Sequence, residues 1–212
     1  MKRSAWNHVI WDLDGTLLDT YPATDGALAA ALDGLGRPVT PEELRPLTRI
    51  TLAHAVTALA GRFGLPEETV WAGYEREYAV RGLTFSPAMP GAQEAMRSVR
   101  AGGGLNLLAT HRDREGALRK LKAAGLDKLL DDMLCVSDGF PRKPDPALFL
   151  ALLEQHSLGP AEVLAVGDRE LDIRAGRAAG CLTALLVTAG VPMHTGADRV
   201  LDGLGALAGS GL

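Results

Sequence analysis

Val9-Ile10-Trp11-Asp12-Leu13-Asp14-Gly15-Thr16 is the stretch on which the fold turns. A short apolar run, Val9 to Trp11, ends in two aspartates and a glycine. Such a run without polar interruption suits a strand covered on both faces. Asp12 and Asp14 are two apart, so an extended chain would point both carboxylates the same way. Gly15 then lets the backbone turn away sharply. The fragment alone also fits a hairpin, with Asp14-Gly15 as the turn and Val9–Leu13 paired to Thr16–Thr20. It does not fit a calcium loop opening at Asp12, which would need a glycine where Leu17 stands and a glutamate where Ala23 stands.

Working outward, similar runs recur at Leu105–Ala109, Met133–Val136, Val163–Val166 and Leu182–Val187. Helical patterns separate them, as at Gly91–Arg100, Asp113–Ala124 and Pro146–His156. Strands alternating with helices predict an α/β fold with a Rossmann-like parallel sheet and right-handed crossovers. From Pro22 to Arg81 the rhythm breaks. Helical blocks at Ala23–Leu35, Glu42–Leu47, Leu52–Phe63 and Glu67–Val80 are punctuated by Gly36-Arg37-Pro38, Thr40-Pro41 and Gly64-Leu65-Pro66. Thr40 is placed to cap a helix that begins with Pro41. The sequence therefore predicts a core built from residues 1–17 and 88–212, with an all-helical domain, 18–87, inserted after the first strand. Ser86-Pro87 and Met89-Pro90-Gly91 read as the return hinge. The tail from Gly203 reads as a short helix with a frayed end.

In an open α/β sheet, ligands bind beyond the carboxyl ends of the strands. Polar residues collect at these ends: Asp12, Asp14 and Thr16 after the first, Thr110 and His111 after the second, Asp168 and Asp172 after the fourth. Lys143 arrives from the loop before the helix near Pro146. Each group has a plain structural alternative. Asp145 and Pro146 suit a helix start, and Asp168 with Asp172 suits a cap and the helix dipole. None of these alternatives accounts for all the groups together.

The 212 residues fit one domain, or a core with an insert. A hydrophobic fraction of 47% is enough for a substantial core, and the net charge of -4 comes with no basic stripe interleaved with aromatics. Nucleic acid is therefore not an expected partner. No apolar run spans a bilayer, and the N-terminal run is too short for a signal peptide, so a cytoplasmic protein without a membrane partner is expected. The two cysteines, Cys135 and Cys181, sit among apolar residues and read as buried thiols.

With these residues in view, the chain resembles the haloacid dehalogenase-like hydrolases, whose four motifs occur here in order. Asp12-Leu13-Asp14-Gly15-Thr16 is similar to the first, Thr110 to the second, Lys143 in Arg142-Lys143-Pro144-Asp145-Pro146 to the third, and Gly167-Asp168-Arg169-Glu170-Leu171-Asp172 to the fourth. The helical insert resembles the mobile cap of phosphoglycolate phosphatase-like members. The resemblance implies a phosphatase acting on a small phosphorylated metabolite. It implies Asp12 as nucleophile and Asp14 as general acid and base. It implies Thr110 as a phosphoryl contact, Lys143 as charge neutraliser, and Asp12, Asp14 and Asp168 as metal ligands with Asp172 beside them. Thr16, Thr110, His111, Lys143 and Arg49 are the candidate substrate-binding residues. Tyr21, Arg45, Thr51 and His54 are further polar candidates in the insert. His111 departs from the asparagine common at its place, and a supporting role is expected of it.

Charge argues for a metal without the family. Four aspartates and a phosphate dianion outweigh one lysine, and like charges at ~5 Å cost a few kcal/mol each at an effective dielectric of about 20. An all-oxygen donor set and a phosphate partner favour Mg2+. Asp14 argues for phosphate esters, since dehalogenase and phosphonatase relatives lack an aspartate there. A β-phosphoglucomutase-like sugar phosphomutase keeps both aspartates and stays open, as does a non-catalytic phospho-ligand binding protein. A dinucleotide enzyme is disfavoured, because no glycine-rich loop follows the first strand.

Overall fold

The structure, a computed structural model, describes residues 6–81, 86–187 and 196–208. In chain order β1 (His8–Trp11) is followed by α1 (Tyr21–Gly34), α2 (Pro41–Thr48), α3 (Leu52–Phe63) and α4 (Glu67–Arg81). Then come α5 (Ala92–Ala101), β2 (Asn106–Thr110), α6 (Arg114–Ala123), β3 (Asp132–Cys135) and α7 (Ala147–Gln155). The chain continues through β4 (Val163–Gly167), α8 (Glu170–Ala178), β5 (Leu182–Leu186) and β6 (Arg199–Leu201). Contacts divide the molecule into two compact units, Met1–Asp19 with Pro87–Leu212, and Thr20–Ser86.

The first unit is an α/β sheet of six parallel strands in the order β3-β2-β1-β4-β5-β6. Five are the expected runs, each end within a residue. The hairpin is not formed, because β1 pairs in parallel with both β2 and β4. The sixth strand was not expected. It is three residues long, begins with an exposed Arg199 and Val200, and joins the sheet edge through Leu185↔Val200. The expected tail helix is a single 3-10 turn, Leu204–Leu207, and its expected frayed end falls beyond the described residues.

Side chains of β1 alternate between two cores, as the period of a strand requires. Val9 and Trp11 pack with Ala95, Met96 and Val99 of α5 and with Ala117 and Leu121 of α6. Ile10 packs with Leu148, Phe149 and Leu152 of α7 and with Ala175 of α8. Both faces are thus covered, which is why the strands read as continuous apolar runs. Each such fully buried side chain contributes about 1.5–3 kcal/mol of transfer free energy. The buried polar Asn106 is satisfied: its Oδ1 accepts the Trp11 indole N–H at 3.0 Å, and its Nδ2 donates to Met96 and Leu129 carbonyls at 2.9 and 3.0 Å.

From β1 the chain steps outward to β2 and β3, then returns to the other flank of β1 as β4. This reversal opens a crevice beyond the carboxyl ends of the central strands. β2, β1 and β4, the adjacent strands there, are the ones that end in Thr110, Asp12 and Asp168.

The second unit contains only helices among its described residues. Its core is Leu28 and Leu32 of α1, Leu44 of α2, Val56 and Leu59 of α3, and Val70 and Tyr74 of α4. Thr40 caps α2 as expected: its hydroxyl accepts the Glu43 N–H at 3.3 Å, and the Glu43 carboxylate accepts the Thr40 N–H at 3.0 Å. Thr51, a candidate site residue, is the cap of α3, accepting the His54 N–H at 2.9 Å.

Candidate active site

Asp12 continues the line of β1, its N–H donating to Val166 O of β4 at 2.9 Å, and it is buried. The extended conformation ends there. Leu13 O accepts the N–H groups of Leu17 and Leu18 at 3.1 and 2.9 Å, and Gly15 takes φ +83°. A turn thus begins at Leu13, and the charge of Asp14 beyond it is still near enough to raise the Asp12 carboxyl. Asp14 is only half-buried, and Arg112 holds its carboxylate: Nε lies 2.9 and 2.8 Å from the two oxygens and Nη2 2.7 Å from one.

Three carboxylates gather instead: Asp12, Asp168 and Asp172 each place an oxygen within 4.8 Å of the others. Asp14, expected among the ligands, is not in this group, and Asp172, expected beside them, is. Gly167 makes the approach of Asp172 possible, since a Cβ there would lie 2.2 Å from that of Asp172. Thr16 donates from Oγ1 to Asp168 Oδ1 at 3.3 Å.

Lys143 is buried in the centre of this group. Its Nζ lies 2.5 Å from Asp12 Oδ1, 2.5 Å from Asp172 Oδ1 and 3.1 Å from Ala109 O, so all three ammonium protons have acceptors. The loop that carries it is fixed at both sides. His111 Nε2 accepts the Lys143 N–H at 2.7 Å, and Asp145 Oδ1 accepts the Ala147 N–H at 2.9 Å. The helix starts one residue later than expected, at Ala147, with Pro146 as its cap residue. Thr110, at the end of β2, is buried, and its Oγ1 accepts the Arg112 N–H at 3.2 Å.

Burial first, then the charge of Asp172, pushes the Asp12 carboxyl up to about 6 against the opposing pull of Lys143 and Arg169. Burial also raises Asp172, but Lys143 and Arg169 outweigh it and hold that carboxyl below the usual range. Lys143 stays firmly charged, because the two aspartates overcome its burial. His111 is driven down to about 3 by burial and then by the charges of Lys143, Arg169 and Arg142. A neutral ring that accepts from Lys143 fits its supporting role. The thiols of Cys135 and Cys181 are free and buried, pushed up to about 11 and about 12, chiefly by burial.

Two arginines had no role in the sequence argument. Arg112 is the partner of Asp14, and Arg169 lies 3.8 Å from Asp12 Oδ2, 3.9 Å from Asp168 Oδ1 and 3.8 Å from Asp172 Oδ2. Their places, two residues after Thr110 and directly after Asp168, were the available signal. The donor set suits a hard cation: the cluster is all oxygen, and the buried Asp12 Oδ2 accepts no hydrogen bond among the described residues.

In the helical unit, Arg49 is buried and engaged. Its Nη1 donates to Asp25 at 3.2 and 3.3 Å and to Thr48 Oγ1 at 2.9 Å, and its guanidinium lies 3.3 Å from the Tyr21 ring centroid.

A parallel sheet with an aspartate cluster and a buried lysine at the ends of its central strands makes an anionic centre whose donors suit a hard cation. Residues 9–186 match the model of the haloacid dehalogenase-like hydrolases, and the chain belongs to that family. It is an enzyme of the phosphoglycolate phosphatase-like kind. A phosphoglycolate phosphatase of Vibrio parahaemolyticus is 30% identical over 186 residues, covering 82% of this chain and 80% of its own. An N-acetylmuramic acid 6-phosphate phosphatase of Pseudomonas aeruginosa is 28% identical over 212 residues, covering 95% and 93%. In fold, the chain is similar to a hydrolase of this family from Deinococcus radiodurans, crystallised with phosphate and sodium. The TM-score is 0.81 at 24% identity, covering 96% of this chain and 94% of that one. No described helix is long and apolar enough to cross a membrane.

Proposed function

We propose that this chain is a cytoplasmic phosphatase that hydrolyses a small phosphomonoester through an aspartyl phosphate on Asp12. The observation that carries this reading is the pairing of Asp12 with Lys143. One carboxylate oxygen is tied to the ammonium at 2.5 Å, while the other, Oδ2, is left without a hydrogen bond. An anchored carboxylate with one oxygen open is the form a nucleophile needs. Asp14 supplies a proton to the leaving oxygen and takes one from the water that ends the cycle. Lys143 neutralises charge on the nucleophile and the transferring group, and Thr110 donates its hydroxyl to a phosphoryl oxygen. Asp12, Asp168 and Asp172 would hold Mg2+, which supplies electrostatic stabilisation of the phosphoryl oxygens when bound. The helical segment 18–87 acts as the family's substrate-selecting insert.

Phosphoglycolate and N-acetylmuramic acid 6-phosphate, the substrates in the names of two relatives, are both phosphomonoesters that also carry a carboxylate. A substrate of that kind is the first to test. The experiment measures phosphate release from a panel of phosphomonoesters with Mg2+, with chelator, and with Asp12→Asn. Turnover that needs Mg2+ and vanishes in Asp12→Asn is expected. Full activity in chelator, or an active Asp12→Asn, would refute the mechanism. Formation of an isomer in place of free phosphate would identify a mutase.

A further inference from the structure

The proposed chemistry leaves one contact unexplained, the fork between Arg112 and Asp14. Both Asp14 oxygens accept from the guanidinium, at 2.7 to 2.9 Å. The two side chains are 22% and 24% exposed, so the pair sits at the solvent boundary and is open to exchange. Arg112 is rooted beside Thr110, to whose hydroxyl its own N–H donates at 3.2 Å. Lys120 of α6 lies near enough to feel both charges of the pair. Its ammonium is weakened first by burial, then by the charge of Arg112, with Asp14 opposing. The fork thus holds the proposed leaving-group acid at the solvent boundary, where another anion can reach the guanidinium.

We infer that Arg112 determines specificity by exchanging Asp14 for a second anionic group on the leaving-group side of the substrate. A guanidinium fork binds one planar anion in two-point fashion at a time. While it grips Asp14, neither oxygen of that carboxylate is free to meet the ester oxygen. A leaving group bearing a carboxylate or a second phosphate offers the fork a replacement, and Asp14 is released where it is needed. A neutral leaving group offers none. The favoured substrates are thus phosphomonoesters with a second anion a few bonds from the ester oxygen. This rests on the phosphatase reading and adds a preference to it.

The test compares kcat/KM for 2-phosphoglycolate, ethylene glycol bisphosphate and ethyl phosphate, the last replacing the carboxylate of the first by a methyl group. The wild-type chain with Mg2+ is expected to favour the anionic esters by about tenfold or more. Arg112→Gln should bring that ratio close to one, and Arg112→Lys, which keeps the charge without the fork, should fall between. The ratio between the two anionic esters tells carboxylate from phosphate. In the Asp12→Asn background, calorimetry should show 2-phosphoglycolate bound about tenfold more weakly when Arg112→Gln is added. Phosphate release from all three esters at a ratio that Arg112→Gln leaves unchanged would overturn this inference alone. No release from any of them would overturn the phosphatase reading and this inference with it.

Discussion

Replacing Lys143 by methionine removes a cation from between two buried carboxylates and keeps most of the side-chain volume. Asp12 and Asp172 are each 2% exposed and each 2.5 Å from Nζ. Removing one partner of a buried ion pair costs about 3–5 kcal/mol. A ceiling follows from proton uptake. Protonating a carboxyl of ordinary value about 3.9 at pH 7.5 costs about 1.4 kcal/mol per unit, or roughly 5 kcal/mol. Asp12 is already pushed up to about 6 and is the group that takes the proton. The loss at pH 7.5 without metal should therefore be about 3–5 kcal/mol. Its pH dependence has a definite sign. A carboxyl raised in the folded state binds more protons folded than unfolded, so its stability contribution is present at low pH and lost as pH rises through the raised value. The variant's deficit should shrink on acidification from pH 7.5 to 5.5, by roughly 2–3 kcal/mol. Mg2+ should narrow it too. The assay is urea unfolding followed by tryptophan fluorescence in a Trp71→Phe background. Trp71 belongs to the helical unit, while Trp6 and Trp11 are buried in the sheet unit, so the signal then reports the sheet unit alone. A loss below about 1 kcal/mol, or one that grows on acidification, would show that the lysine does not hold the cluster together.

Gly167→Ala places a methyl group 2.2 Å from Asp172 Cβ and must displace the start of α8. A stability loss of about 1–3 kcal/mol with a larger fall in Mg2+ affinity is expected, and isothermal titration reads the second directly. His111→Gln keeps an acceptor for the Lys143 N–H and His111→Leu does not, so kcat should fall in the leucine variant and largely recover in the glutamine one, with KM little changed in either. Because His111 is held far below its ordinary value, its contribution to stability is present above pH 6.5 and lost as pH falls toward about 3. Both variants should therefore lose less stability than the wild type between pH 7 and 4 in thermal melts. An identical pH slope would show that the ring is not held neutral.

The sheet was legible because a strand buried on both faces leaves a continuous apolar run, and five such runs lie in the chain. β6 leaves no such run, since two of its three residues, Arg199 and Val200, are exposed at the edge of the sheet. The candidate ligands were legible as polar groups at strand ends. Their division of labour was not, because it depends on one backbone turn. Period-two reasoning holds only while the chain is extended, and the carbonyl of Leu13 already closes a turn onto Leu17 and Leu18. Asp14 is held by Arg112 outside the group of clustered carboxylates, and Asp172 joins that group from the next helix. Arg49 reads as a substrate-binding candidate in sequence, and its burial against Asp25 is not legible there because that acceptor lies 24 residues earlier on another helix.

The case for a divalent cation changes its form once Arg169 is in place. Counted from sequence, four carboxylates faced one lysine, and a metal was needed to offset a large negative charge. In the structure Asp14 is paired off with Arg112, and three carboxylates face both Lys143 and Arg169. The cluster is left with a single negative charge in excess. That residual charge still opposes a phosphate dianion. A divalent cation bound there would reverse the sign of the site. The consequence is measurable: in Asp14→Asn, which removes one negative charge and none of the three clustered carboxylates, phosphate binding should be promoted by lower Mg2+ concentrations than in Asp168→Asn, where the charge falls equally but one of the three is lost. Equal Mg2+ dependence in the two variants would mean that charge alone, and not the donor set built by β1, β4 and α8, governs entry of the anion.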